Sequence, residues 1–120
     1  MFNIAICDDS MIQQSLLREQ ISMLAAKKGI ATKVEIFSTG ELLLESVKAG
    51  KKFDVYILDI VLLGLKGNEV ATKLREMGDE GFILFYTATR AYENEIDGVM
   101  PAAYLLKPFN ANEFDAAMPW

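Results

Sequence analysis

Short apolar runs alternate with longer segments whose apolar residues recur at helical spacing, and this order holds along the whole chain. Phe2–Cys7 predicts a strand and Ser10–Lys28 a helix; Ser10 and Gln13 have capping-box spacing, and Gly29 marks the stop. Val34–Phe37 predicts a second strand. Ser38 and Glu41 repeat the capping-box spacing ahead of Leu42, Leu43 and Val47, and Gly50 closes that helix. Phe53–Leu58 is apolar except for Asp54, as befits a strand covered on both faces. After a loop over residues 59–66, Gly67, Val70, Ala71 and Leu74 fall at i, i+3, i+4 and i+7 and predict a third helix. Phe82–Tyr86 predicts a fourth strand, Arg90 to Gly98 a more polar helix, and Ala103–Leu106 a short fifth strand. Asn110–Met118 predicts a last, short helix capped by Asn110 or Asn112. Five strand-then-helix units imply a doubly wound α/β fold, with a parallel sheet and right-handed crossovers.

Composition narrows the chemistry. The chain of 120 residues is one domain in size, 52% hydrophobic, with twelve basic and seventeen acidic residues giving a net charge of −5. That balance argues against direct contact with nucleic acid. A single Cys excludes an internal disulfide, and the absence of His removes the usual zinc sites and Ser-His-Asp or Cys-His catalysis. Neither a signal peptide nor a membrane span is visible, so a cytoplasmic location is expected. The shortness of the last helix suggests a fragment of a longer protein, with residues 1–120 forming one domain.

In an open parallel sheet, the functional site lies at the C-terminal ends of the strands. There the first strand delivers Asp8 and Asp9, the third Asp59, the fourth Thr87 and the fifth Lys107. Crowded carboxylates repel by on the order of 4 kcal/mol per pair at about 4 Å and a surface-like dielectric. A hard divalent cation such as Mg²⁺ relieves this with oxygen ligands, and one outward carboxylate can attack phosphorus to form an aspartyl phosphate. Lys107 and Thr87 can supply charge neutralisation and positioning for that transfer. Taken singly, these residues have plainer readings: Asp8-Asp9 as helix caps, Thr87 as a strand-end cap, Lys107-Pro108 as a surface turn. Tyr104 reads equally as core. Cys7 reads as a small buried hydrophobe, with a redox role as the alternative.

Together, in order and at successive strand ends, these pieces resemble the receiver domain of two-component response regulators over essentially the whole chain. The matching residues are Asp8-Asp9, Asp59-Ile60 with Gly67 eight residues on, Thr87-Ala88, and Tyr104-Leu105-Leu106-Lys107-Pro108. The opening Ala5-Ile6-Cys7-Asp8-Asp9-Ser10 and the Tyr104–Pro108 run look most like regulators of the LytR/AgrA type. The resemblance implies a flavodoxin-like five-stranded sheet of order 2-1-3-4-5 with five helices. It implies that Asp59 accepts phosphate from a sensor histidine kinase. It also implies that Mg²⁺ is held by Asp9, Asp59 and the Val61 backbone carbonyl, with Asp8 acting through water. Lys107 would pair with phosphoryl oxygens, and Thr87 and Tyr104 would form the switch. The switch would change the surface of the fourth helix, fifth strand and fifth helix. A phosphorylation-dependent homodimer is expected, with DNA reached only through a separate output domain of the LytTR kind. The Lys107-Pro108 bond is expected to be cis.

One departure stands out: Leu63 occupies the place of a usual proline, which predicts a less rigid loop. Other functions fit the residues less well. A small phosphohydrolase would need a second acid two residues after Asp59, where Val61 stands. A protein-interaction module that works without phosphate does not explain why all five polar strand-end residues are present. A flavin site is disfavoured by Asp8-Asp9 after the first strand.

Overall fold

A computed structural model describes residues 1–120, the side chain of Asp97 excepted. The elements are β1 (Phe2–Cys7), α1 (Met11–Lys28), β2 (Thr32–Phe37), α2 (Gly40–Lys48), β3 (Val55–Leu58), α3 (Gly67–Glu76), β4 (Phe82–Thr87), β5 (Ala102–Leu106) and α4 (Ala111–Ala117). All strand pairs are parallel, in the order β2-β1-β3-β4-β5. The expected doubly wound sheet is present.

The side-chain alternation of the strands divides the core in two. Ile4 and Ile6 of β1 face Leu17 and Ile21 of α1 and Phe114 of α4. Ala5 and Cys7 face the opposite way, into a cluster with Leu43 of α2 and Val70, Ala71 and Leu74 of α3. β1 and β3 are central and covered on both faces, so Ile4–Cys7 and Val55–Leu58 are wholly buried.

Helix ends follow local chemistry with one shift. Ser10 Oγ accepts from the Gln13 amide, Asn110 Oδ1 accepts from Glu113, and Gly29 takes the left-handed conformation after α1. The cap of α2 is Thr39 rather than Ser38: its Oγ1 accepts from the Leu42 amide at 3.1 Å. The starting register is fixed by Gly40, whose absent Cβ would stand 2.4 Å from Val70 Cγ2.

The helix expected from Arg90 to Gly98 does not form. Two 3-10 turns, Glu93–Glu95 and Asp97–Val99, take its place, giving four helices instead of five. This stretch offers only Tyr92, Ile96 and Val99 to the core, carries Gly98, and has no side-chain cap. Such a segment cannot offset the cost of nucleating a helix, and short 3-10 turns bring its few apolar residues inward.

Candidate functional site

The parallel ladder runs one residue past the regular strands at the C-terminal edge, and the polar residues ride on that extension. Asp8 N donates to Phe37 O (3.1 Å), Asp59 N to Cys7 O (2.9 Å), and Lys107 N to Thr87 O (2.8 Å). Backbone hydrogen bonding therefore sets Asp8, Asp59, Thr87 and Lys107 in one row across four strands. Asp8, Asp59 and Thr87 are all buried.

The centre of the site is Lys107. Its Nζ lies 2.9 Å from Asp8 Oδ2 and 2.9 Å from Asp59 Oδ2. The other carboxylate oxygens are also engaged: Asp8 Oδ1 accepts from Ser10 N at 2.9 Å, and Asp59 Oδ1 from Val61 N at 3.3 Å. The ring of Tyr86 lies 5.6 Å from the ammonium. Burial pulls the Lys107 pKa down, but hydrogen bonds to Asp59 and Asp8 outweigh it and the net shift is upward. One cation between two carboxylates leaves a negative residue of charge in a partly dry setting. Removing Lys107 would leave both buried carboxylates without a counter-charge, whereas removing either carboxylate leaves Lys107 paired with the other.

Three neighbours complete the site. Thr87 Oγ1 is buried with no hydrogen-bond partner among the described residues, a state that costs about 1–3 kcal/mol for a hydroxyl. Tyr104 is half-buried; its ring lies 6.0 Å from that of Phe85, and its hydroxyl donates to the Thr89 carbonyl. Gly67 opens α3 directly against the backbone of Asp59. A Cβ there would fall 2.1 Å from Asp59 O, so only glycine fits. The Lys107–Pro108 peptide is cis, as expected.

Not every expected residue joins the cluster. Asp9 is exposed, and among the described residues no three acidic or sulfur-bearing side chains are gathered closely enough to hold a metal as they stand. The donors are nonetheless all hard oxygens, with Asp9 beside Asp8 in the chain and Val61 beside Asp59. That set fits Mg²⁺, which takes one or two carboxylates and keeps several waters. Cys7 is fully buried and its thiol is pushed up to about 12, first by burial and then by Asp8, so its redox reading loses its basis. Sequence reasoning missed Gln14, whose side-chain amide donates to the Asp8 carbonyl. It sits six residues from Asp8, a spacing with no motif attached. A groove of about 900 Å³ lies at the opposite edge of the sheet, around Lys48, Lys51, Asp54 and Asp79. It is remote from these groups.

The sequence matches the family model described as "Response regulator receiver domain" over residues 4–118. The chain belongs to the response regulator receiver family. Among curated relatives, this receiver is 34% identical over 99 residues to the transcriptional regulatory protein DltR of Streptococcus agalactiae, covering 81% of the chain and 43% of DltR. It is 40% identical over 67 residues to the sensory transduction protein LytT of Oceanobacillus iheyensis, covering 54% of the chain and 27% of LytT. The matched part is thus under half the length of either relative. Among solved structures, the response regulator TrrA of Thermotoga maritima, in complex with Mg²⁺-BeF, superposes with a TM-score of 0.82. The two share 27% identity, covering 97% of this chain and 95% of TrrA.

Proposed function

We propose that this receiver is a phosphorylation-controlled switch in which Asp59 accepts a phosphoryl group from the phosphohistidine of a sensor kinase. The observation that carries the reading is the single row of Asp8, Asp59, Thr87 and Lys107, with one ammonium 2.9 Å from both carboxylates. An Asp59 oxygen attacks phosphorus, the P–N bond breaks, and the electron pair leaves with the kinase imidazole. Lys107 already contacts the attacking carboxylate and transfers its hydrogen bond to a phosphoryl oxygen. The unpartnered hydroxyl of Thr87 is free to turn toward the same group. Asp9, Asp59 and the Val61 carbonyl would hold Mg²⁺, with Asp8 reaching it through water; when bound, the ion neutralises charge on the transferring group. Attack by water on phosphorus later returns the carboxylate and free phosphate, so the domain is a switch with slow self-hydrolysis.

The switch acts through Thr87 and Tyr104 on the surface formed by residues 90–99, β5 and α4. We take the chain as the receiver part of a longer cytoplasmic transcription regulator, of the LytR/AgrA type, that dimerises when phosphorylated and meets DNA through a separate domain. The similarity to LytT and the fraction of each relative that is matched support this. Among the described residues, no helix is long and apolar enough to cross a membrane. Intact-mass measurement after incubation with acetyl phosphate and Mg²⁺ tests the chemistry. One added phosphoryl group is expected, absent with EDTA and in Asp59→Asn. Failure of the wild type to gain phosphate from acetyl phosphate or from any sensor kinase would refute the reading.

A further inference from the structure

The loop after Asp59 lacks the proline expected at position 63, and its hydrogen bonds all lie near its ends. Leu62 N and Gly67 N both donate to Ile60 O at 3.0 Å, and Lys66 N donates to Glu69. Among the described residues, the amides of Leu63, Gly64 and Leu65 have no such partner. Contact from across the fold reaches this tip instead. Gly64 has φ +78°, and a Cβ on it would meet Glu41 Oε2 at 2.7 Å and Oε1 at 3.3 Å. The Glu41 carboxylate, on an exposed side chain in the first turn of α2, therefore occupies the space that a side chain at the exposed Gly64 would take, on the side of its Cα–H. One residue earlier, a Cβ on Gly40 would stand 2.4 Å from Val70 Cγ2 and 3.5 Å from Leu65 Cβ. The start of α2 is thus closed onto the loop tip and onto α3. Glu41 makes no ion pair among the described residues that would draw it elsewhere.

We propose that Glu41 is a positioning residue whose contact with Gly64 fixes the 61–64 loop so that the Val61 carbonyl is held beside Asp59. The restraint that a proline at 63 would impose from within the loop is supplied here from α2. This rests on the reading of Asp59 and Val61 as parts of a phosphorylation site, but the contact itself can be tested without metal or phosphate.

The test is a double-mutant cycle on the full chain, read by amide exchange at Leu62 and Gly67 without metal and by Mg²⁺ affinity from calorimetry. A Cα–H···O contact corresponds to roughly two- to fivefold in an opening equilibrium, so Glu41→Ala is expected to speed exchange and weaken Mg²⁺ binding by such factors. Glu41→Gln keeps the shape and an oxygen while losing the charge, and should stay within about twofold of wild type in both readouts. Gly64→Ala should damage the wild type more than the Glu41→Ala background, where no carboxylate occupies the Cβ position. Equal damage in both backgrounds overturns the contact. A Mg²⁺ loss in Glu41→Gln matching that of Glu41→Ala, with exchange unchanged, overturns positioning in favour of charge. If the wild type binds no Mg²⁺, the phosphorylation reading fails, while the exchange cycle still decides whether Glu41 holds the loop.

Discussion

The connections that leave the site-bearing edge after β3 and after β4 are built by different means. After β3, the chain passes through residues 59–66 into a regular helix whose first residue, Gly67, is pressed against the Asp59 carbonyl. After β4, residues 88–101 form two 3-10 turns closed by their own backbone hydrogen bonds and tied to the rest of the fold in part by side chains that reach backbone oxygens. Arg75 donates to the carbonyls of Val99 (3.1 Å) and Pro101 (3.1 Å), and to Asp79 O at 2.8 Å. Tyr104 reaches Thr89 O, and Lys66 lies 5.3 Å from the Tyr92 ring centroid. Backbone packed on backbone has no alternative arrangement nearby, whereas a side chain holding a carbonyl can exchange partners. The seat of Gly67 on Asp59 is thus fixed by backbone contact, whereas the side-chain ties on the second connection can be exchanged.

The sharpest way to break this contrast is to add one methyl group to each connection. Gly67→Ala should cost more than about 3 kcal/mol, because its Cβ would displace the Asp59 backbone. Gly98→Ala, with nothing within 4 Å of its Cβ position, should stay within about 0.5 kcal/mol of wild type. Urea denaturation measures both, and similar costs would dissolve the distinction. Next in size, Arg75→Met leaves the Val99 carbonyl without its donor and removes one of the two donors to Pro101 O, and should cost about 2 kcal/mol. Hydrogen exchange should then quicken across residues 93–101 and remain unchanged at Leu62 and Gly67; equal quickening at both would show that the two connections are not independent.

A smaller loss than that of Arg75→Met is expected from Tyr104→Phe, about 1 kcal/mol for one hydrogen bond at neutral pH. Burial raises the Tyr104 phenol above its ordinary 10.0. The unfolded chain therefore releases that proton first, and stability present below pH 10 declines as pH rises toward the folded value. The decline should be shallower in Tyr104→Phe, as measured by denaturation at stepped pH. An identical slope would remove Tyr104 from the set of anchors.

The same contrast explains what could be read from the chain. The segment leading to α3 was legible because Val70, Ala71 and Leu74 repeat at helical spacing behind a glycine, and core burial agrees with that pattern. Arg90 to Gly98 shows a fainter version of the same spacing, and there the few apolar contacts prevailed over helix formation. The strand ends were legible because a parallel sheet gathers them at one edge, whatever the loops do. The partner of each group was not legible. The sequence contains Lys107 and both carboxylates but does not indicate that one ammonium spans Asp8 and Asp59, or that Asp9 stands apart in solvent. In the sequence, Glu41 has capping-box spacing from Ser38. Its contact with Gly64 depends on how α2 meets α3, which no local pattern encodes.

Borohydride reduction of the acetyl-phosphate-treated protein, followed by peptide mass spectrometry, tests the central claim most directly, because an aspartyl phosphate is converted to homoserine where it stands. The account predicts homoserine at position 59 alone, lost when EDTA is present during phosphorylation. Conversion at Asp8 or Asp9, or phosphate gained with no reducible carboxyl, would contradict it.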